Sequence, residues 1–356
     1  MLNNIHLIVG ARPNFVKCAD LYAKLKESGF NVKLIHTGQH YSRNMSDIFF
    51  NDLDIPREDI NLNVGSSTHA EQTGRIMIEY EKILLDDRPD LIMVFGDVNS
   101  TVATVLAGAK LHVKTAHIEA GLRSNDRTMP EEINRIATDV ICDYLFAPSS
   151  DGVENLREQG IPGERIFLVG NIMIDTLTAH MDKIEGINIE NKYHVKKGEY
   201  VFLTLHRPSN VDNKYRLNDI VCFLNRIAAR RPIVFPAHPR TVKNLEAFGL
   251  KQELSDNIRM IEPISYLSSI AMIRSASAVI TDSGGIQEET TFLGVPCFTL
   301  RRNTERPITV EEGTNMLIEP EEKHIDAIIS NMPKQCSIKY WDGNTSQRII
   351  SIIKEL

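Results

Sequence analysis

A short apolar, β-branched run that ends at a polar or glycine-bearing turn and passes straight into a helical pattern recurs along this chain. That alternation restricts the fold more than any other feature of the sequence. Short apolar runs read as strands buried on both faces, and strands separated by helical patterns read as βαβ units in a parallel sheet. The clearest case is Ala278-Val279-Ile280-Thr281-Asp282-Ser283-Gly284-Gly285-Ile286-Gln287-Glu288-Glu289-Thr290. Its first four residues predict a strand, Asp-Ser-Gly-Gly the turn, and the remainder a helix start. Paired glycines let backbone approach an anion closely, Ser283 suits the N-cap and can donate to a phosphate oxygen, and a helix N-terminus offers free N–H groups and positive dipole. Glu289, about one and a half turns further on, suits a ribose hydroxyl. The short pattern alone reads equally well as a glycine-softened turn, so the rest of the chain decides.

From its start the chain offers strands at Ile5 to Val9, Val32 to Ile35, Leu91 to Phe95, Lys114 to Ile118, Leu145 with Phe146, and Ile166 to Val169, with helices between them. A second set begins at Tyr200 to Leu205 and continues at Ile233 to Pro236, Ile258 to Ile261, Ala278 to Thr281 and Val295 to Leu300. Two successive sets predict an α/β chain of two doubly wound parallel-sheet domains facing a cleft. The expected spans are 1–169 and 170–342, with Gly170-Asn171 as linker, and the amphipathic segment at 343–356 is expected to return to the first domain. A chain of 356 residues can bury two such cores.

Composition removes several function classes. With 47 acidic residues against 40 Lys plus Arg, the formal charge is −7 and no long basic run exists, which argues against a nucleic acid partner. The five scattered cysteines never take Cys-x-x-Cys spacing, so neither a disulfide framework nor a structural zinc site is indicated, and a cytoplasmic setting is expected. The N-terminus lacks a basic n-region and no apolar stretch is long enough to span a bilayer, so no membrane role is expected. Neither Gly-x-Gly-x-x-Gly nor Gly-x-x-x-x-Gly-Lys-Ser/Thr follows a strand, which disfavours NAD and P-loop ATP hydrolysis.

Candidate chemistry gathers at strand ends. Asp97, Glu119 and Glu131 stand at strand ends or helix starts of the first set. Three converging carboxylates would push at least one pKa upward, because like charges disfavour joint ionisation, and that suits proton transfer near neutral pH. A metal would use the same oxygens, yet Arg12, Lys17 and Arg123 crowd the region, so no metal is expected. Arg12 and Lys17 bracket the first helix start and either reach an anion or remain solvated. Helix capping alone would explain Glu131 and Glu132 behind Pro130. In the second set, His206-Arg207 and His238-Pro239-Arg240 follow strands, where a histidine faces ligand or is a satisfied loop residue.

The set Gly10-Ala11-Arg12-Pro13, Thr37-Gly38-Gln39-His40, Gly96-Asp97, His117-Ile118-Glu119-Ala120-Gly121-Leu122-Arg123, Pro130-Glu131-Glu132-x-Asn134-Arg135, Asp282-Ser283-Gly284-Gly285-x-Gln287-Glu288-Glu289 and Thr304-Glu305-Arg306-Pro307 spans nearly the whole chain. It resembles the non-hydrolysing UDP-N-acetylglucosamine 2-epimerases. The resemblance implies a GT-B type architecture, two Rossmann-like domains with the active site in the cleft between them, usually as a homodimer and without a redox cofactor. It implies that Ser283, Gly284 and Gly285 hold the diphosphate with Arg12, that Glu289 binds the ribose, and that the loop ending at Tyr266 lies near the uracil. Lys17, Arg123, Arg135, His238 and Arg306 complete the implied UDP-sugar contacts, and Asp97, Glu119, Glu131 and His206 match the family's catalytic positions.

The implied reaction inverts C-2 of the amino sugar by anti elimination of UDP to a 2-acetamidoglucal, followed by re-addition, and feeds cell-surface polysaccharide synthesis. A second UDP-N-acetylglucosamine as activator is implied beside Gln39, His40, Gln72, Thr73 and His238. Two departures from the commoner bacterial pattern, Pro208-Ser209-Asn210 after His206-Arg207 and Ile308 after Pro307, bear on the sugar contacts. They leave open an epimerase for UDP-2,3-diacetamido-2,3-dideoxyglucuronic acid, or a hydrolysing one that releases N-acetylmannosamine and UDP. A glycosyltransferase of the same architecture would keep the cradle but needs one base, not three carboxylates.

Overall fold

The computed structural model describes residues 2–38, 52–330 and 334–356, without the side chains of Arg12 and Glu190; Gln39 and His40 lie outside the described residues. The first strands are β1 (Asn4–Val9), β2 (Asn31–His36), β3 (Ile60–Asn61), β4 (Leu91–Phe95), β5 (Lys114–Ile118), β6 (Tyr144–Ala147) and β7 (Ile166–Leu168). They are followed by β8 (Val201–Leu203), β9 (Ile233–Pro236), β10 (Ile258–Ile261), β11 (Ala278–Thr281), β12 (Cys297–Thr299) and β13 (Asn315–Leu317). Among the described residues they form two sheets, ordered β3-β2-β1-β4-β5-β6-β7 and β10-β9-β8-β11-β12-β13. Every pairing is parallel.

Each sheet reverses its winding once, between β1 and β4 in the first and between β8 and β11 in the second, which is the Rossmann order. Two such sheets in one chain make the expected GT-B type. The apolar runs behave as their composition requires: β4 (LIMVF) and β11 (AVIT) are buried at every position because helices cover both faces of the sheet. On the helix Lys214–Ala228, Leu217, Ile220, Val221, Leu224 and Ile227 form one buried stripe at helical spacing against the second sheet. Each such side chain contributes roughly 1.5–3 kcal/mol relative to an exposed one. Two strands had no signal in the sequence: β3 is half-buried throughout, and β13 is buried at only one of its positions.

The chain divides into one unit of Met1–His180 with Lys339–Leu356 and a second of Met181–Ile338. Gly170 and Asn171, expected as the linker, therefore lie inside the first unit. Asn171 Oδ1 accepts the Met173 N–H at 2.9 Å and caps the helix Ile172–Ala179, so this Gly-Asn pair is a turn and a cap. The final helix, Thr345–Glu355, belongs to the same unit. Its N-terminus is capped from afar by Asp175, which accepts the N–H groups of Thr345 at 3.0 Å and Ser346 at 2.7 Å. Its Ile349, Ile350 and Ile353 are buried. Among the described residues no helix is long and apolar enough to cross a membrane.

Candidate active site

In open α/β sheets, ligands bind beyond the strand C-termini at the switch in strand order. In the first unit that point lies where β1 runs into the helix Arg12–Glu27 and β4 runs into Gly96-Asp97. Asn14 ties the two turns together: its Oδ1 accepts the N–H groups of Gly10 at 3.1 Å and Ala11 at 3.0 Å, while its Nδ2 donates to Phe95 O at 3.0 Å. One helical turn further, the buried Lys17 ammonium is ion-paired to Glu119 Oε2. Glu119 ends β5 with φ +76°, a left-handed conformation that costs a non-glycine residue of order 1–3 kcal/mol and recurs at functional sites. Gly96 makes room for this pair. It has φ +64°, and a Cβ there would stand 2.9 Å from Lys17 Nζ and 3.2 Å from Glu119 Oε2.

Beneath Gly96 the buried His117 ring meets acceptors at both nitrogens, Gly96 O at 2.8 Å from Nε2 and Asp139 Oδ1 at 2.6 Å from Nδ1. Asp139 also accepts the Gly121 N–H at 3.1 Å and pairs with Arg123 at 2.7 Å. Burial would raise the Asp139 carboxyl, but His117 and Arg123 hold it below the usual carboxylate range. Arg123, expected on the nucleotide sugar, is thus turned inward: it also donates to Leu122 O at 2.8 Å and Gln159 Oε1 at 2.7 Å. Its charge answers a buried aspartate, and its guanidinium ties down the loop after β5.

Asp97 is met by Arg135, whose Nε and Nη2 donate to Glu132 Oε2 at 3.0 and 2.7 Å. Glu132 is fully engaged, accepting also from the N–H groups of Ser124 and Asn125 at 3.0 Å each. Capping fits Glu132 poorly as an account, since it holds a distant loop and an arginine. Glu131 stands exposed in the first turn of the helix Pro130–Ile141. Of the three expected acids, Glu119 and Asp97 each meet a cation, and Glu131 is exposed. Arg135 touches the candidate catalytic Asp97 and acts as its anchor.

In the second unit the corresponding point lies at β8 and β11. Asp282 ends β11 fully buried, and its carboxylate accepts the N–H groups of His206 at 3.1 Å and Arg207 at 2.9 Å, the Asn210 amide at 3.2 Å, and faces His206 Nδ1 at 2.9 Å. Burial would raise its carboxyl, yet His206 and these donors hold it below the usual range. Ser283 is the N-cap of the helix Gly284–Leu293, but its hydroxyl makes no cap bond and faces no partner among the described residues. The N-cap position was expected; a hydroxyl without a cap bond was not.

Over that helix start lies a cluster of arginines. A Cβ on Gly284 would stand 2.6 Å from both Arg306 Nη1 and Glu305 Oε1, so only glycine admits the pair. The buried Glu305 carboxylate receives Arg306 at 2.6 Å, Arg301 at 2.8 Å and Arg207 at 3.6 Å. Burial would raise its carboxyl, but Arg306, Arg301 and Arg207 hold it far below the usual range. Arg306 also pairs with Glu288 at 2.9 Å. Several cations at a helix N-terminus suit a diphosphate.

Deeper in the same helix, burial pushes the Glu289 carboxyl up to about 7; Glu288 adds to the rise, while the Tyr266 hydroxyl and Arg306 pull the other way. The Tyr266 hydroxyl is buried there without a well-directed hydrogen bond. His238 caps the helix Pro239–Ala247 through Nδ1, which accepts the Arg240 N–H at 3.2 Å, and its ring lies 6.0 Å from that of His206. Of the residues implied for an activator site, Gln72 is buried in the scaffold, donating to Gly65 O at 2.9 Å and accepting from Asn99 at 2.8 Å, and Thr73 is half-buried on the same helix. Asn14, Asp139, Arg301, Glu305 and the anchoring role of Asp282 were missed from sequence. A single acid closing a fully apolar strand was the one available signal, and it applies to Asp282 alone.

A family model described as UDP-N-acetylglucosamine 2-epimerase matches residues 23–354. The UDP-N-acetylglucosamine 2-epimerase of Methanocaldococcus jannaschii is 44% identical over 359 residues, covering 98% of each chain. The UDP-2,3-diacetamido-2,3-dideoxy-D-glucuronate 2-epimerase of Pseudomonas aeruginosa is 40% identical over 316 residues, 87% of each. Among solved structures, the M. jannaschii UDP-GlcNAc 2-epimerase in complex with UDP-GlcNAc and UDP superposes with a TM-score of 0.92 at 41% identity, covering 99% of this chain and 100% of that one. The chain belongs to the UDP-N-acetylglucosamine 2-epimerase family.

Proposed function

We propose that the chain interconverts UDP-N-acetylglucosamine and UDP-N-acetylmannosamine by anti elimination of UDP to 2-acetamidoglucal and re-addition of UDP with the opposite C-2 configuration, supplying cell-surface polysaccharide precursors. The observation that carries the reading is Glu119, a buried carboxylate in a left-handed conformation, held on Lys17 at the switch point of the first sheet. Such a group suits removal of the C-2 proton. The C–H electron pair becomes the C-1=C-2 double bond, the C-1–O bond breaks, and its pair leaves with the diphosphate, whose charge the Arg301 and Arg306 cations and the helix Gly284–Leu293 offset. Asp97, aimed by Arg135, is the proton carrier for the other face. Incubation with UDP-N-acetylglucosamine is expected to give UDP-N-acetylmannosamine by its anomeric proton signal. Free N-acetylmannosamine with UDP would replace this reading by a hydrolysing one. Turnover confined to UDP-2,3-diacetamido-2,3-dideoxyglucuronic acid would move the substrate to that of the Pseudomonas relative.

Ribose hydroxyls donate, so Glu289 binds them best as a carboxylate. Its pKa of about 7 therefore makes affinity for UDP-N-acetylglucosamine rise from about pH 6 to about pH 8, because the substrate's diphosphate diester holds no proton in that range. For stability the sign is opposite. The folded state favours the protonated acid, so this contribution is full below the ordinary carboxylate pKa and is lost as pH rises through about 7. Calorimetric titration should show the affinity trend in wild type and a flat profile in Glu289→Gln; a flat wild-type profile would remove the ribose role.

The reading includes a homodimer. Ile133 and Val140 are 43% and 54% exposed on the helix Pro130–Ile141, and with the half-buried Ile136, Ala137 and Ile141 they form one apolar stripe at helical spacing. Sedimentation equilibrium is expected to give twice the chain mass, and Ile133→Glu with Val140→Glu to give a monomer. A wild-type monomer would count against it.

A further inference from the structure

We propose that Asp282 is a positioning residue that fixes His206 as a hydrogen-bond donor to the departing diphosphate, so that His206 serves the leaving group and not the C-2 proton. The proposal rests on the epimerase reading above for the identity of that leaving group.

The geometry is local to the second unit. β8 and β11 are hydrogen-bonded neighbours flanking the switch point, and the two chain segments that leave them are joined through one carboxylate. Asp282 accepts the N–H groups of His206 and Arg207 and the amide of Asn210, which fixes the backbone on which the imidazole stands. Its Oδ1 then meets His206 Nδ1 at 2.9 Å, which fixes the ring. A carboxylate accepts, so Nδ1 carries a hydrogen and Nε2 is the atom left for substrate; the His206 side chain is 43% exposed. On the far side stand His238, its ring 6.0 Å away, and Arg207, whose Nε donates to Asp282 O at 2.8 Å.

The residue after Asp282 is Ser283, the N-cap with the unengaged hydroxyl, and after it come the helix N–H groups and the arginines around Glu305. One turn of chain therefore supplies both the imidazole's anchor and the anion cradle. The ring's chemistry follows from its neighbours. With Nδ1–H on Asp282, the donor form is the imidazolium, which carries a second hydrogen on Nε2: as the C-1–O bond breaks and its electron pair moves to the diphosphate oxygen, Nε2–H donates to that oxygen and keeps its proton, and the Asp282 carboxylate balances the ring's charge. The hydrogen bond strengthens as charge develops on the diphosphate oxygen, so it acts on the barrier, and no net proton is consumed.

The test is a double-mutant cycle with two readouts. Asp282→Asn is expected to lower kcat about 10²-fold with unchanged UDP affinity by calorimetric titration. In a His206→Asn background the same substitution is expected to cost nothing further, because its effect runs through the ring. Additive losses in kcat, or lost UDP affinity at normal kcat, would reduce Asp282 to scaffold and overturn the proposal. If Asp282→Asn does not fold, Asp282→Glu keeps the buried charge but displaces the oxygens by a methylene. It should lower kcat about tenfold at unchanged UDP affinity, and a normal kcat would overturn the proposal. A wild-type chain that turns over no UDP-sugar would remove the epimerase reading, and this proposal with it; an active wild type with additive losses removes this proposal alone.

Discussion

Glu119→Gln is expected to lower kcat by about 10³-fold while leaving UDP affinity unchanged. The amide keeps the shape of the carboxylate but cannot accept the C-2 proton, and the cradle proposed for the nucleotide, residues 283–289 with Arg301 and Arg306, is built by the other unit. The loss should appear in kcat and in kcat/KM alike, the mark of an interaction made in the transition state. The structure makes this site the most demanding of the three acids. Glu119 is buried, held at φ +76° and served by Lys17, and Gly96 is left without a side chain beside it. Glu131 is exposed, and Asp97 is partly so. Steady-state kinetics together with a UDP titration check it; near-normal turnover would take the base away from Glu119.

Lys17→Met should be the most destabilising of the single changes at the site. It leaves the Glu119 carboxylate buried at 6% exposure with its ammonium partner gone. Removing one partner of a buried pair costs about 3–5 kcal/mol, because the remaining charge has lost both water and counter-ion. Lys17→Met combined with Glu119→Gln should recover most of the stability but none of the activity. Urea denaturation of the four proteins measures this. A Lys17→Met single variant as stable as wild type would mean that the pair contributes nothing, and Lys17 would return to the role expected from sequence, a contact to the substrate's anion.

How much of this was legible in the sequence depends on whether the cause was local. β1, β4 and β11 could be read because a strand covered on both faces needs an unbroken apolar run, and the chain supplies one at each. β3 and β13 could not, because a strand of two or three partly exposed residues carries no pattern. Gly170-Asn171 has the composition of a linker, but the same residues make a cap, and only the packing around the helix Ile172–Ala179 separates the two uses. The turn at Asp282-Ser283-Gly284-Gly285 and the helix behind it were readable for the same reason as β11: strand, turn and helix N-terminus follow one another in the chain.

Partnerships across the chain were not legible. Glu119 lies 102 residues from Lys17, and no periodicity links them. Arg123 looked like a ligand contact because a motif arginine after a strand often is one. Its direction is set by Asp139, on a helix that also supplies the anchor of Asp97. The cations that meet Asp97 and Glu119 were hidden in the same way. Charge types were visible in the sequence, but which cation stands between them depends on the fold.

The most direct measurement is proton NMR of UDP-N-acetylglucosamine turned over by the wild-type chain in deuterated water. Elimination and re-addition through Glu119 exchange the C-2 proton with solvent, so the UDP-N-acetylmannosamine formed should carry deuterium at C-2. A UDP-N-acetylmannosamine product that keeps protium at C-2 throughout would contradict proton removal by a solvent-exchanging carboxylate, and with it the role given to Glu119.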